Sequence, residues 1–285
     1  MPTTLSNAAF FGHPDTVLEY ARAAANLGLW ESERLLCEAS FSKDAPLLEL
    51  GCGAGRIAFG LQKAGWRDIT ATDFSPQMLE AARAVADANA DANAASDGVA
   101  NAAAGDGFSA DGDDDGGNGN GNGGGGDAVG NLRFAFADAT ALPFADAAFA
   151  SVIFGFNGLM MIPLEARREA ALREMHRVLR TGGTAIFTGH ERNDPRRAAH
   201  WDEERARWAA GTQNPALERL GDYDHTTPAG RMFIHAATRA ETHALALRCG
   251  FAVEFTAMRS EIATESREVR EFSDDTRFWV LRKPM

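Results

Sequence analysis

The sequence contains few cysteines, the residues that form the disulfide bonds of small secreted domains and bind structural zinc. Its three cysteines, Cys37, Cys52 and Cys249, are odd in number and widely spaced, and no C-x-x-C pair is present. We therefore predict neither a disulfide framework nor a zinc knuckle, and free cysteines are typical of the reducing cytoplasm. The 7 histidines show no spacing that would gather a metal ion, so we predict no metal site.

Long apolar runs are also missing. The longest, residues 152–164, is interrupted by Asn157 and is shorter than the roughly 20 residues that span a bilayer. Residues 1–12 lack the basic segment that begins a typical secretory signal. We therefore expect a cytoplasmic protein that does not use a membrane as a partner.

Positive charge is scarce, with Lys+Arg 28 against Asp+Glu 40 and a net charge of -12. Most of this imbalance is local, because residues 86–130 contain many aspartates and no Glu, Lys or Arg. The rest of the chain is nearly balanced, so net charge neither favours a nucleic-acid partner nor excludes one that binds a local basic patch. The arginines that would form such a patch are Arg167, Arg168, Arg173, Arg177, Arg180, Arg196 and Arg197.

Residues 86–130 consist almost entirely of Ala, Asp, Asn and Gly. Such a segment has too little apolar surface to offset the entropy of ordering it, so we interpret it as a low-complexity insertion without a role in the site. Asp111, Asp113 and Asp115 imitate the start of a calcium loop. Asn122 stands where the loop requires a bidentate Glu, and we predict no calcium site.

Outside the insertion, strand-like and helix-like segments alternate, which predicts an α/β fold with a mostly parallel sheet covered by helices. Ser75 and Pro76 predict a helix start, Thr238 with Glu241 predicts a capping box, and Gly182 with Gly183 predicts the end of a helix that includes Leu172. The predicted strands are residues 46–50, 68–73, 132–138, 149–156, 184–189, 251–258 and 277–282.

We predict two parts in this chain. Residues 1–45, with one or two helices over 15–38, cap the site, and residues 46–285 form the main domain. Within that domain, residues 190–235 are a candidate substrate lid, because they carry Trp201 and Trp208 at helical spacing among many charges.

A glycine-rich turn follows the first predicted strand, at the place where a doubly wound sheet binds its ligand. Gly51, Gly53 and Gly55 are spaced G-x-G-x-G, and Arg56 stands where the dinucleotide fingerprint needs its third glycine. Glu49 ends the strand just before the turn. A carboxylate there suits a ligand with an ammonium group better than a pyrophosphate, which disfavours a nicotinamide-dependent oxidoreductase.

Two further acids end the next two strands. Asp73 is placed to accept the hydroxyls of a ribose, and Asp138 is placed to accept a hydrogen bond from an adenine amine. Each alone is equally explained as a helix cap or a loop residue. Their combination with the glycine turn predicts a nucleoside ligand.

These residues resemble the class I S-adenosylmethionine-dependent methyltransferases, in particular the methyltransferase domains of type 11 and type 25. The resemblance covers residues 47–188, and the insertion at 86–130 is its main departure from the family pattern. The motifs that carry it are residues 49–55 (ELGCGAG), 72–79 (TDFSPQML), 137–139 with 142–144 (ADA and LPF), and 178–183 (VLRTGG).

The resemblance implies a Rossmann-like seven-stranded sheet of order 3-2-1-4-5-7-6, with the last strand antiparallel and helices on both faces. It implies S-adenosylmethionine as the cofactor. The family's cofactor positions then fall on Glu49 and Gly51 for the methionine part, on Cys52, Gly53 and Gly55 in the turn, on Asp73 for the ribose, on Phe74 and Met78 for an apolar side of the adenosine, and on Asp138 and Ala139 for the adenine.

Methyl transfer from a sulfonium needs chiefly an acceptor atom held in line, so a general base is optional. Asn157, His190 and Glu191 follow the fourth and fifth strands and are the candidates for contact with the acceptor. We predict a small-molecule acceptor. The alternatives are an RNA methyltransferase, for example one acting on tRNA, and a protein that binds the cofactor without transferring the methyl group.

Overall fold

A computed structural model describes residues 6–103 and 131–285, and its strands form a seven-stranded sheet and a separate two-stranded hairpin. The strands are β1 Leu47–Leu50, β2 Asp68–Asp73, β3 Asn131–Phe136, β4 Phe149–Phe154, β5 Leu179–Gly189, β6 Asp222–Thr227, β7 Gly230–His235, β8 Ala252–Met258 and β9 Arg277–Arg282.

Helices precede the sheet and connect its strands. They are α1 Ala8–Phe11, α2 Pro14–Asn26, α3 Glu31–Ser40, α4 Arg56–Lys63, α5 Pro76–Ala103, α6 Glu165–Val178, α7 Ala198–Ala210, α8 Arg239–Arg248, α9 Arg259–Ile262 and α10 Arg267–Phe272, with 3₁₀ turns at Gly158–Met161 and Pro195–Arg197. No helix in the described part of the chain has the length and apolarity needed to cross a bilayer.

The order of the large sheet confirms the predicted topology. Its strands lie in the order β3-β2-β1-β4-β5-β9-β8, which becomes 3-2-1-4-5-7-6 when the hairpin strands β6 and β7 are left out of the numbering. Neighbours from β3 to β5 pair in parallel, whereas β9 is antiparallel to both β5 and β8. The carboxyl ends of β1 to β5 therefore meet at one edge of the sheet.

Side chains alternate between two apolar cores, one on each face of the sheet. Leu47 and Ile153 pack with α3 and α4 on one face, and Leu48 and Val152 pack with α6 and α8 on the other. Strands covered on both faces have continuous apolar sequences, and this pattern is the reason that residues 46–50 and 149–156 are predicted as strands. Helices on both faces confirm the predicted layers.

Most of the predicted helix punctuation is present. Thr238 and Glu241 form the capping box of α8, and the hydroxyl of Ser75 accepts the amide of Met78 at the start of α5. The predicted helical region at 15–38 is two helices, α2 and α3.

The predicted end of α6 at the Gly182-Gly183 pair is wrong. The helix stops at Val178, because Leu179 already pairs with Phe149 and begins β5. Gly182 donates its amide to the carbonyl of Lys283, and Gly183 accepts from the amide of Lys283. The two glycines thus belong to the start of a strand, a role that local propensity does not distinguish from a helix stop.

The helix α5 also reaches further than predicted. It continues to Ala103 and so includes the first part of the segment interpreted as an insertion, 86–130. Alanine has the highest helix propensity, and this part of the segment is rich in alanine. The remainder, with the calcium-like aspartates from Asp111 onward, lies outside the described residues.

One asparagine ties the N-terminal helices to the rest of the fold. The side chain of Asn7 donates to the carbonyls of Met161 and Phe233 at 2.8 and 2.9 Å, and its oxygen accepts from the amide of Phe233 at 2.7 Å. Asn7 is 5% exposed, so these three bonds are shielded from water. The side chain thereby pairs with β7 as a short piece of strand would.

We expect Asn7→Ala to lower the free energy of unfolding by roughly 1–3 kcal/mol, because it leaves buried backbone groups of Phe233 and Met161 without partners. Chemical denaturation monitored by circular dichroism measures this change. The control is Ser6→Ala, which removes one exposed bond to the amide of Ala8 and should change stability by less than about 0.5 kcal/mol. Equal stabilities of the two variants would contradict the role given to Asn7.

Candidate functional site

A cavity of about 280 Å³ lies at the carboxyl edge of the sheet, where β1 to β4 end. Its walls come from the glycine turn after β1, the segments after β2, β3 and β4, the N-terminal helices and the end of α10. Eight of the predicted cofactor residues line it: Glu49, Gly51, Cys52, Gly53, Asp73, Phe74, Asp138 and Ala139. Topology brings these together although they span ninety positions of sequence.

The glycine turn is shaped by close contacts and by its backbone conformation. Gly51 and Gly53 have φ values of +61° and +53°, in the left-handed region that side chains disfavour. A Cβ on Gly51 would lie 2.8 Å from a ring carbon of Phe154, and a Cβ on Gly53 would lie 3.1 Å from the ring of Tyr20. Both positions therefore need glycine, and the bare backbone of the turn faces the cavity.

Glu49 is the most unusual group in the cavity. Its side chain is 2% exposed, and its Oε2 has no hydrogen-bond partner among the described residues. Burial raises the pKa of Glu49 well above its usual range, although the nearby Arg56 guanidinium and a hydrogen bond from the backbone of Ala58 act in the opposite direction. A buried polar atom without a partner is rare in folded proteins, and a cationic ligand group would supply one here.

The neighbouring charges leave an excess of negative charge beside Glu49. Arg56 donates to both carboxylate oxygens of Glu33 at 2.6 and 2.7 Å and to the carbonyl of Gly28 at 2.8 Å. Its guanidinium also lies over the indole of Trp30, 4.1 Å from the ring centroid. Arg56 is thus fully engaged by Glu33, and the charge of an ionised Glu49 is not balanced by a partner of its own.

Asp73 holds the turn and faces the cavity at the same time. Its Oδ2 accepts the amide of Gly53 and its Oδ1 accepts the amide of Ser75, both at 2.8 Å. Burial raises the pKa of Asp73, and these backbone hydrogen bonds partly offset that effect. Each carboxylate oxygen has a second lone pair, so Asp73 can still accept two hydroxyls.

Asp138, which follows β3, also lines the cavity. Its Oδ1 accepts the amide and hydroxyl of Thr140 at 2.9 and 2.8 Å, and its Oδ2 accepts Arg167 at 2.9 Å. Burial opposes ionisation of this carboxyl, but the bonds from Thr140 and Arg167 outweigh it, so the pKa of Asp138 lies below its ordinary value. Asp138 is thus a charged acceptor near neutral pH.

Five other predicted site residues do not line the cavity. Gly55 serves as the N-cap of α4 with φ +89°, and Met78 is fully buried, because the first turn of α5 directs it into the interior. Glu191 is buried and bonded to Arg277 at 3.0 Å, which is a structural ion pair between the segment after β5 and the first residue of β9. Asn157 and His190 lie behind the cavity wall, with Asn157 Nδ2 3.4 Å from His190 Nε2.

Burial lowers the pKa of His190 to about 4, so its ring is neutral at neutral pH. The backbone amide of Asn157 donates to the hydroxyl of Thr188 at 2.7 Å. Asn157 and Phe156 have φ values of +63° and +48°, two consecutive left-handed residues without glycine. Such strain persists only where surrounding contacts impose it and is concentrated at functional sites. Here the strained turn directs the ring of Phe156 to the cavity wall.

Sequence reasoning missed much of the aromatic wall. Phe156, Phe272 and Phe11 line the cavity, as does Arg56. Phe156 is the last residue of a predicted strand, so its position was a usable signal. Phe272 lies on the short helix α10, and no local pattern connects it to a turn more than two hundred residues earlier.

The predicted lid also differs from what closes the cavity. No described side chain of residues 190–235 lines it, whereas Asn7, Phe11 and Tyr20 do. Trp201 is 2% exposed and packs against Tyr223 with ring centroids 5.8 Å apart. Movement of 190–235 over a substrate stays a prediction. One described contact of this segment with the site is the pairing of Phe233 with Asn7.

Comparison with known proteins gives two family matches. One model of a methyltransferase domain, type 25, matches residues 47–108, and another of a methyltransferase domain, type 11, matches residues 120–187. The break between the two matches falls in the low-complexity segment. No curated protein matches the sequence.

Solved structures share the fold at low sequence identity. An S-adenosylmethionine-dependent methyltransferase from Methanosarcina mazei is 17% identical, with 88% of this chain and 97% of that chain covered and a TM-score of 0.60. The CcbJ methyltransferase from Streptomyces caelestis is 14% identical, with 99% and 100% covered and a TM-score of 0.58. The [4+2]-cyclase SpnF is 15% identical, with 100% and 97% covered and a TM-score of 0.60. Identities this low establish a common fold and nothing finer.

We expect Glu49→Gln to weaken binding of S-adenosylhomocysteine by roughly 10- to 100-fold, since a hydrogen bond to a charged group contributes about 1.5–3 kcal/mol. In the unaltered protein a ligand ammonium favours ionised Glu49, whose pKa in the free protein is raised. Affinity should therefore increase with pH through the raised pKa of Glu49, with proton release on binding, and Glu49→Gln should lose this dependence.

Calorimetric titration in buffers of different ionisation enthalpy measures both the affinity and the released protons. Glu80→Gln is the matched control, because Glu80 is exposed on the first turns of α5. A pH-independent affinity in the unaltered protein would contradict the assignment of Glu49.

Proposed function

Because the chain belongs to the class I S-adenosylmethionine-dependent methyltransferases, as its two methyltransferase-domain matches and its sheet order show, we propose that it methylates a small molecule in this cavity. The observation that carries the proposal is the pairing of the arginines around the site with carboxylates and backbone carbonyls, so that these arginines form no basic track for a nucleic acid on the described part of the chain.

The residues of the cavity fit S-adenosylmethionine, a cofactor that supplies an activated methyl group on sulfur. We propose that Glu49, with its unpartnered oxygen, binds the ammonium group, and that the bare turn at Gly51 and Gly53 admits the methionine part. Asp73 would then accept the ribose hydroxyls, and Asp138 with the amide of Ala139 would bind the adenine. Phe74, partly exposed and edge-on to Phe11 at 5.8 Å, would cover an apolar side of the adenosine.

An RNA acceptor would require a basic surface. The arginines that could form this surface are already paired with carboxylates or carbonyls. Arg167 bonds to Asp138, Arg168 is buried beside Asp222, and Arg173 bonds to Glu169. The others donate to carboxylates or carbonyls as well, namely Arg177 to Glu174 and Asp146, Arg180 to Ala147 and Ala148, Arg196 to Asp194 and Asp275, and Arg197 to Asp274. Phosphate contacts would have to break these pairs, which supports a small acceptor.

Positioning accounts for catalysis in this proposal. Asn157 and His190 stand behind the cavity wall, where they hold the strained turn that presents Phe156. We infer that they act as positioning residues through Phe156 and that Glu191 stabilises the sheet. Reactants that an enzyme already holds in the reactive geometry lose little further entropy when they react. This effect supplies a large part of many enzymatic rate enhancements.

The setting proposed for the enzyme is the cytoplasm. Cys37, Cys52 and Cys249 are free and buried, as is usual for proteins kept under reducing conditions.

The test is calorimetric titration with S-adenosylmethionine and S-adenosylhomocysteine, with NAD as the control ligand, followed by transfer of a radiolabelled methyl group to small molecules of a cell extract. We expect micromolar affinity, about -8 kcal/mol, and labelled products that pass a small-pore filter. Cofactor binding without any labelled product would favour a binding protein that performs no transfer. Binding of NAD instead would overturn the cofactor assignment.

Asp73→Ala should abolish measurable cofactor binding while circular dichroism shows a folded protein. The matched control is Asp68→Ala at the other end of β2, where Asp68 pairs with Arg133 at 2.6 Å, far from the cavity. Near-normal affinity in Asp73→Ala would refute the ribose assignment.

For the RNA alternative, we expect no association with bulk tRNA in a filter-binding assay at low salt, where electrostatic binding is strongest. Tight binding that falls steeply with added salt would instead support RNA as the acceptor.

A further inference from the structure

The cavity wall beside the glycine turn is aromatic. The ring of Tyr20 lies against Gly53 and meets Phe156 edge-on at 5.8 Å. Phe272 stacks on Phe156, with centroids 5.4 Å apart and planes 19° apart, and all three rings line the cavity. Because Glu49 and Gly53 belong to the proposed methionine end, this wall lies beside the place where the methyl group is transferred.

Positive charge that could bind an anionic acceptor is already used. Among the described residues, the arginines that line the cavity are Arg56, held by Glu33, and Arg167, held by Asp138. Neither of these arginines is left unpaired to bind a carboxylate or phenolate that enters the cavity. Burial of an unpaired charge is strongly unfavourable, so anionic acceptors are disfavoured.

A group that could remove a proton from the acceptor is equally scarce. The cavity's carboxylates, Glu49, Asp73 and Asp138, are taken up by the cofactor in the proposed function. Burial raises the pKa of Cys52 and of Tyr20, so among the described residues lining the cavity these two remain protonated. The acceptor atom must therefore react without first losing a proton.

We propose that the acceptor is a neutral, planar nitrogen heterocycle, methylated on a ring nitrogen that carries a lone pair and no hydrogen. This rests on the proposed function and names the substrate class of the same site. The ring nitrogen forms a bond to the methyl carbon with its lone pair, the carbon–sulfur bond breaks with its electron pair left on sulfur, and the positive charge passes from sulfur to nitrogen. No proton is released, so no base is required.

The aromatic wall suits this reaction in two ways. A planar ring stacks on Phe156 or Phe272, as aromatic pairs do in protein cores. The positive charge that develops on the heterocycle is attracted by the aromatic rings of Tyr20, Phe156 and Phe272, which line the cavity. An aliphatic amine differs, because it is protonated at neutral pH and would need a base before it could attack.

The experiment uses three two-ring probes of matched size: isoquinoline, 2-naphthol and 2-naphthoate. Each is incubated at neutral pH with the full-length protein and radiolabelled S-adenosylmethionine. In parallel, the protein saturated with S-adenosylhomocysteine is titrated with N-methylisoquinolinium and with naphthalene, its uncharged counterpart. We expect methylation of isoquinoline alone and tighter binding of N-methylisoquinolinium than of naphthalene.

Phe272→Leu isolates the contribution of the wall. It should weaken binding of N-methylisoquinolinium by roughly 3- to 30-fold, the range expected when a cation loses an aromatic face, and should leave the affinity for S-adenosylhomocysteine unchanged. Phe255→Leu is the control, because Phe255 is an exposed residue of β8.

Preferential methylation of 2-naphthol or 2-naphthoate would overturn this proposal, and so would equal binding of the cation and naphthalene. Unchanged cation affinity in Phe272→Leu would also overturn it. In each of these cases S-adenosylhomocysteine still binds and the proposed function stands. Failure of S-adenosylhomocysteine to bind would overturn both.

Discussion

Burial of carboxylates at the carboxyl edge of the sheet is the constraint on which the rest of this structure depends. A buried carboxylate is tolerated only when hydrogen bonds or a counter-charge compensate for lost hydration. Glu33 is compensated by Arg56, and Asp73 by the amides of Gly53 and Ser75. Among the described carboxylates of this edge, Glu49 alone retains an oxygen without a partner. The compensated acids fix the turn and α3, and the uncompensated one leaves a buried polar oxygen at the cavity wall.

The same edge of the sheet carries a second constraint, the two left-handed residues after β4. Phe156 and Asn157 hold conformations that cost free energy, and the bonds of Asn157 to Thr188 and His190 maintain them. Hydrogen bonds of Asn157 thus help to set the position of the neighbouring Phe156 ring, which lines the cavity. Asn157 and His190, which do not line the cavity, are linked in this way to Phe156, which does.

Solved structures with this fold belong to proteins of different activity, so the sheet alone does not identify a reaction. Methyltransferases and a [4+2]-cyclase share this fold with the chain at 14–17% identity. What distinguishes one member from another is the set of side chains above the strand ends and the segments that cover them. In this chain, paired arginines, an aromatic wall and an N-terminal segment fastened by Asn7 line the cavity.

Local sequence patterns were enough to predict the sheet and eight of the residues that line the cavity. Apolar runs end in Glu49, Asp73 and Asp138, and parallel strands bring their carboxyl ends to one edge, so local patterns were sufficient there. The surroundings of these residues depend on tertiary contacts: Asn7 bonds to Phe233, Glu33 pairs with Arg56, and Phe272 stacks on Phe156. The burial of Met78 and the end of α6 before Gly182 also depend on tertiary contacts. These outcomes depend on contacts between residues far apart in the chain, which no local periodicity or spacing encodes.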